Sequence, residues 1–249
     1  MLSVVLVSQA VGMLVAAVIV VLVGERLPGP VDVAWSAAAG LMGAVGITAL
    51  YRGLAVGRMS VVAPVTGVLA ASLPVVVGIA LEGLPKETVL VGIGLALAAV
   101  VLVSRVSDEA GRSGGLGLAI LAGIAIGLFN VTLTQVADGS LFWPLVVMRA
   151  SQVGAIVVGV VVSGAVWRLP RRLLPQVGFV GFLDLGGNTF FLLAAQAGAL
   201  AVAATLSSLY PVTTAILAVI VLRERIAPAH AVGIVVAGIA IALIAAGSG

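Results

Sequence analysis

The chain has 249 residues, of which 62% are hydrophobic and only 8% are charged, whereas soluble domains carry about 25% charged residues to cover a solvated surface. This composition excludes a water-soluble globular protein, and the net charge of +3, which comes from loop residues between apolar stretches, forms no stripe for binding nucleic acid. The absence of cysteine excludes disulfides, thiolate catalysis and cysteine-bound metals, and the single histidine, His230, leaves no histidine cluster for zinc.

Nine apolar stretches follow one another along the chain, separated by loops of glycine, proline and charged residues. We predict transmembrane helices, because about 18 to 20 apolar residues cross a bilayer and membrane strands would alternate with period two. The fold class is therefore an all-α polytopic membrane protein embedded in the lipid bilayer. The expected spans are 2–23, 33–50, 60–81, 88–103, 115–135, 141–166, 176–195, 200–222 and 231–247.

The chain resembles itself when it is shifted by 141 residues. The matched pairs include Gly40 with Gly181, Gly46 with Gly187, Thr48 with Thr189 and Gly57 with Gly198. The shift predicts a first repeat over 1–105, a connecting loop over 106–114 and a second repeat over 115–249. Only the fifth span lacks a partner, so the architecture reads as five plus five helices with the first helix missing. A start codon placed late and a genuine nine-span form both explain this, and an odd number of spans per repeat predicts inverted halves.

Lysine and arginine in the loops predict the orientation, because they are retained on the cytoplasmic side. Alternate loops place only Arg26 and Lys86 on one face. The other face receives Arg52, Arg58, Arg105, Arg112, Arg168, Arg171, Arg172, Arg223 and Arg225. We therefore expect the N-terminus inside and the C-terminus outside.

Two segments resemble the EamA-type transporters of the drug/metabolite transporter superfamily. They are "ALYRGLAVGRMSVVAPVTGVLAASLPVVVGIALEGLP" and "SSLYPVTTAILAVIVLRERIAP", each with a Pro-Val pair followed by an apolar run. The second segment keeps Glu224 and Arg225 after the run, whereas the first, with Pro74 and Val75, lacks the arginine. The resemblance covers nearly the whole chain.

The resemblance implies ten helices in two inverted halves around a central cavity, with alternating access and both termini inside, which disagrees with the arginine count. It implies a secondary transporter in the plasma membrane, with small metabolites such as amino acids or drug-like compounds as substrates. Export is the expected direction, a proton is the candidate coupling ion, and no cofactor is expected. The alternative is a non-transporting membrane subunit or an inactive form without the first helix. The oligomeric state, a homodimer included, stays open.

Two ionisable residues lie within predicted spans, where a charge costs roughly 2.5–3.5 kcal/mol or more. Arg149 is expected about 13 Å deep, and the backbone of Asp184 is expected to differ from it in depth by roughly 10 Å. In a functional interpretation Arg149 binds an anionic substrate group, or Asp184 takes up a proton. The alternatives are a structural ion pair or an Arg149 that snorkels to the interface. An enzyme is disfavoured because aspartyl chemistry needs two carboxylates in one site and the spans offer one.

Uncharged polar residues accompany these two at helical spacing. Gln152 follows Arg149 by three residues and Asn188 follows Asp184 by four, while Asn130 and Thr134 share a face of the fifth span. We predict that these three stripes contribute to a substrate site, and interhelical hydrogen bonding is the alternative for any single member.

Prolines inside the third and eighth spans complete the candidates. Pro211 removes a backbone donor close to Ser207, Ser208 and Tyr210, and such breaks in two inverted halves indicate a transport site. Pro74 is displaced by one turn from the matching position, and for it a packing kink is the favoured interpretation.

Overall fold

A computed structural model describes residues 2–57, 59–104, 115–137, 139–164, 169–197, 200–207, 209 and 228–247. The described residues form helices and connecting turns without any strand. The helices are α1 (Leu2–Val23), α2 (Pro30–Val56), α3 (Met59–Glu82), α4 (Glu87–Ser104), α5 (Leu116–Leu133), α6 (Phe142–Ser163), the 3-10 helix η1 (Arg171–Leu173), α7 (Leu174–Ala197), α8 (Leu200–Ser207) and α9 (Pro228–Gly247). The predicted class, an all-α polytopic membrane protein, is confirmed.

Each expected span overlaps one helix, although only 200–207 of the eighth span lies within the described part of the chain. Within that part, five stretches are long and apolar enough to cross a membrane: α1, α2, α5, α6 and Arg171–Ala197. Local signals set the ends of several helices. α2 begins at Pro30, which needs no amide partner in a first turn. Gly24 and Gly164 follow the ends of α1 and α6 with φ of 69° and 62°, a conformation that glycine adopts without strain.

The chain divides into two compact units that each combine distant segments. Unit 1 comprises Met1–Thr48 and Leu128–Ala197, and it contains α1, most of α2, the end of α5, α6 and α7. Unit 2 comprises Ala49–Gly127 and Gly198–Gly249, and it contains α3, α4, most of α5, α8 and α9.

In unit 1, α1 packs against both α6 and α7. The Glu25 carboxylate, which follows the end of α1, accepts the backbone N–H groups of Leu141 at 2.7 Å and Phe142 at 2.9 Å. Because the end of α1 thus meets the start of α6, the two helices run antiparallel. Two glycines allow close helix contacts: a Cβ at Gly40 would collide with the Met148 carbonyl, and one at Gly181 with the Ser8 carbonyl.

In unit 2, α4 packs along α9. A Cβ at Gly92, near the start of α4, would meet Ile244 and the Ala240 carbonyl, and one at Gly247, the end of α9, would meet Thr88. Because the residue numbers of the contacts in α9 fall as the residue numbers in α4 rise, these two helices also run antiparallel. Ala96, Ala99 and Val100 of α4 and Ala237 and Ala240 of α9 form the buried core that continues this contact.

The helix bounds support the 141-residue repeat. Adding 141 to the first residues of α2, α3 and α4 gives 171, 200 and 228, which are the first residues of η1, α8 and α9. The repeat-related pairs α1 with α6 and α4 with α9 each run antiparallel within their own unit, as inverted repeats require. The repeat bounds and the inversion stay predictions that these relations favour.

Candidate functional site

Arg149 lies at the centre of a polar cluster inside unit 1. It occupies α6, seven residues after the first residue of that helix, and its side chain has no exposed surface. Its Nη2 donates to Asp184 Oδ2 of α7 at 2.9 Å, and its Nη1 donates to Gln9 Oε1 of α1. The arginine therefore does not snorkel to the interface, because three helices of one unit enclose it and two of them supply acceptors.

Asp184 and Gln9 are joined to each other as well as to Arg149. Gln9 Nε2 donates to Asp184 Oδ2 at 3.2 Å, so the same oxygen accepts from the amide and from the guanidinium. The Asp184 side chain is 43% exposed, whereas Gln9 is buried. The three side chains form a closed triangle in which the carboxylate is the accessible member.

The guanidinium lies directly against the backbone of α1. A Cβ at Gly12, one turn after Gln9, would lie 2.6 Å from Arg149 Nη1 and 2.8 Å from its Cζ, so only glycine fits there as the site stands. Within the described part of the chain, Arg149 Nε is buried without a hydrogen-bond partner. A buried donor on a charged group is costly to leave unpaired, so this N–H is the unsatisfied feature of the cluster.

The ion pair bears on the expected difference in depth. From helical rise, we expect the Arg149 and Asp184 backbones to differ by roughly 10 Å in depth. The two side chains nevertheless meet directly, with 2.9 Å between Arg149 Nη2 and Asp184 Oδ2, because a long arginine side chain spans several ångströms.

Gln152 and Asn188 lie on the same helices as Arg149 and Asp184, respectively. Gln152 is buried on α6. Its Nε2 lies 3.4 Å from the position that a Cβ atom would occupy if Gly43 of α2 carried one. Asn188 Nδ2 donates to the Asp184 backbone oxygen at 3.1 Å, one turn along α7. Gln152 therefore faces α2, and only Asn188 is joined to the residues of the ion pair by a hydrogen bond that the structure shows.

The remaining candidates are not joined to the cluster by any hydrogen bond in the described residues. Asn130 is half-buried on α5, and Thr134 lies just beyond the end of that helix and donates to the Val131 carbonyl at 3.0 Å. Ser207, the exposed last residue of α8, and Pro74, buried within a continuous α3, belong to unit 2. Ser208, Tyr210 and Pro211 lie outside the described residues.

Sequence reasoning missed Gln9 and Gly12. The first span reads as uniformly apolar, yet "VSQAVG" contains the only amide side chain of that span, followed three residues later by a glycine. An amide in hydrocarbon needs a partner, and this signal could have identified Gln9. Nothing in the sequence alone shows that Gly12 makes room for an arginine 137 positions away, because that contact depends on how α1 and α6 pack.

The cluster suits ionic recognition rather than metal chemistry. Within the described part of the chain, no group of three His, Cys, Asp or Glu side chains could hold a metal ion. A buried guanidinium can bind a carboxylate or phosphate through two parallel N–H bonds, and an accessible carboxylate can accept a proton or a cation. The fold and this site define a polytopic helical membrane protein with a charged site inside its helices.

Comparison with known proteins specifies the family. The model of the EamA-like transporter family, a domain of the drug/metabolite transporter superfamily, matches residues 113–246, which is more than half of the chain. The chain belongs to this family, and the resemblance seen in the sequence is confirmed. A solved crystal structure, described only as that of a protein, is similar with a TM-score of 0.71 at 17% identity. The alignment covers 99% of this chain and 86% of the other chain, and at this identity it shows the fold alone. Comparison with curated proteins gives no match.

Proposed function

We propose that this protein is a secondary transporter that exports small metabolites or drug-like compounds across the plasma membrane by alternating access. Membership of a transporter family supports the general class. The observation that carries the proposal is the enclosed Arg149, joined to an accessible Asp184 within helices long enough to cross a membrane. In this proposal the substrate binds at the Arg149, Asp184 and Gln9 cluster.

Energetics favour a functional role for the cluster over a stabilising one. Removing two charges from water costs several kcal/mol per ion, and replacing a buried ion pair by apolar residues is often neutral or stabilising by about 1–4 kcal/mol. Since Arg149 is fully buried, its ion pair within a membrane helix bundle is poorly explained by stability alone. Ionisable groups in such positions line substrate and ion pathways.

Proton coupling belongs to the same proposal. Asp184 is the one carboxylate within α1, α6 and α7, and it is the accessible member of the cluster. Protonation of Asp184 would remove the negative partner of Arg149 and change which groups the guanidinium can bind. Proton uptake at this residue and substrate binding are thereby linked at one oxygen atom, Oδ2.

Counterflow in proteoliposomes tests the proposed function. Vesicles with the purified chain are loaded with each member of a metabolite and drug panel, and uptake of the same labelled compound from outside is recorded. We expect the wild type to accumulate at least one class of compound above the level of empty vesicles. Arg149→Gln should lose this accumulation. The control Arg171→Gln, which changes an exposed arginine of the same unit, should retain it. No accumulation of any compound by the folded wild type contradicts the proposal.

A further inference from the structure

We infer that Arg149 is a carboxylate receptor and that a small organic carboxylate binds it by replacing Asp184. The inference rests on the proposed function and names the substrate class of the same site. Asp184 is then the internal occupant of a binding position that the substrate takes over during transport.

The first support is that Asp184 accepts a hydrogen bond from only one nitrogen of the guanidinium, Nη2. An arginine side chain presents five N–H donors and prefers to hold a carboxylate by two parallel bonds. Here Arg149 Nη2 reaches one oxygen of Asp184, and that same Oδ2 also accepts from Gln9. The neighbouring Nε stays buried without a partner in the described residues. A carboxylate that is not tethered to α7 can occupy Nε and Nη2 together.

The second support is the direction of access. Arg149 has no exposed surface, whereas 43% of the Asp184 side chain is exposed, so Asp184 is the member of the pair that protein atoms leave open to a ligand. Exchange of one carboxylate for another conserves the ion pair at Arg149. The guanidinium therefore never stays unpaired in the apolar interior, which would be costly.

Gln9 is the positioning residue in this exchange. Its Oε1 accepts from Arg149 Nη1, a bond that does not involve Asp184 and that holds the guanidinium when the aspartate leaves. Its Nε2, which now donates to Asp184 Oδ2, becomes free to donate to the arriving carboxylate. Gly12 completes the arrangement because the absence of a Cβ there lets the guanidinium lie against α1.

Charge balance links the exchange to the proton. An arriving carboxylate adds a negative charge beside the released Asp184, and among the helices that pack around it α1 carries no charged residue and α6 carries only Arg149. A proton taken up on the freed Oδ2 of Asp184 balances that charge. A simple carboxylate is then expected to move together with one proton.

The test compares matched compounds on the wild-type protein in proteoliposomes. Each carboxylate of the panel is paired with its primary amide, which keeps the size but loses the charge and the acceptor pair. We expect the amides to compete at least about tenfold more weakly than the carboxylates, as the loss of a charged bidentate contact implies. Amides that compete as well as their acids overturn the inference, while their transport leaves the proposed function standing.

Two variants separate a receptor from a structural ion pair. Arg149→Lys keeps the charge but loses the planar fork, and we expect about a tenfold or larger loss of carboxylate affinity, with Arg171→Lys as the matched control. Asp184→Asn removes the internal competitor, and we expect tighter carboxylate binding, read as a larger ligand-induced rise in Tm, together with loss of proton movement. A structural pair would instead give no gain of affinity in Asp184→Asn, and that result overturns the inference.

Discussion

At the scale of single residues, the polar cluster restricts which residues can occupy the neighbouring positions. Arg149 is fixed by Gln9 on one side and Asp184 on the other, and Gly12 faces its guanidinium. Because interiors are packed as densely as crystals, a single added methyl group in such a place must displace something. Here the group that would move is the charged one.

We predict that Gly12→Ala damages the site more than it damages the fold. Its Cβ would lie 2.6 Å from Arg149 Nη1, so the guanidinium must shift away from Gln9 and Asp184. A displacement of about 1 Å at a site can cost up to 100-fold in rate, and we expect at least a tenfold slower counterflow. Gly154→Ala on α6, where a Cβ meets nothing within 4 Å, is the control and should leave transport unchanged. Equal rates in the two variants would contradict the assigned role of Gly12.

At the scale of helices, two features hold unit 1 together: close glycine contacts and a carboxylate at the start of α6. The predicted repeat equates Gly40 with Gly181, and each glycine lies against a backbone carbonyl of another helix, Met148 for Gly40 and Ser8 for Gly181. Glu25 accepts the first backbone donors of α6, and Trp143 Nε1 donates to the Glu25 backbone oxygen at 3.1 Å. The contacts of α1 with α6 and α7 therefore include main-chain atoms, which tolerate little change.

Gly181→Ala should destabilise unit 1 because its Cβ would collide with the Ser8 carbonyl and the two backbones would have to separate. Overpacking of this kind typically costs about 1–3 kcal/mol. The control is Gly178→Ala on the same helix, which meets nothing within 4 Å and gains helix propensity. Melting in detergent should give a lower Tm for Gly181→Ala alone, and indistinguishable curves would argue against the close contact.

The Glu25 carboxylate stabilises the start of α6 as an N-terminal cap does. Its removal in Glu25→Ala leaves the N–H groups of Leu141 and Phe142 without their acceptor, at an expected cost of about 0.5–2 kcal/mol. The stability of Glu25→Gln should lie between those of the wild type and Glu25→Ala, because glutamine keeps an acceptor but loses the charge that the helix N-terminus favours. Arg26→Ala, the exposed neighbour, is the control in the same thermal melts. A Glu25→Ala protein as stable as this control would remove Glu25 from the capping role.

At the scale of the whole molecule, the 141-residue repeat that we predict does not include the charged pair. The shift of 141 residues equates Arg149 with Ser8 and Asp184 with Gly43, so the charged pair exists in the second copy only. The first copy contributes small residues and the amide of Gln9 instead. The predicted symmetry of the helices and the position of the charged cluster are therefore separate properties of this chain.

The orientation is testable because the chain has no cysteine, so every introduced cysteine reports its own position. The arginine distribution predicts that Gly29→Cys and Leu84→Cys, both in exposed loop positions, face outward. They should react with a membrane-impermeant maleimide on intact cells, and Arg172→Cys should react only after permeabilisation. The reverse pattern would show that the loop charges do not determine the orientation here.

The helices were predictable because a bilayer imposes a length and an apolar composition that each segment shows by itself. The ionisable pair was predictable for the same reason, since Arg149 and Asp184 stand out against hydrocarbon. The partner Gln9 and the space at Gly12 were not, because they depend on how helices distant in sequence pack. The roles of Asn130, Thr134 and Ser207 in substrate binding stay predictions.

The most direct test of a functional role for the Arg149–Asp184 pair replaces it by apolar residues in the double variant Arg149→Met with Asp184→Leu. A pair that only stabilises the bundle can be replaced in this way with little loss, or with a gain of about 1–4 kcal/mol. We expect the double variant to fold with an unchanged or higher Tm and to show no counterflow above empty vesicles. A folded double variant that transports the wild-type substrate at the wild-type rate would contradict it.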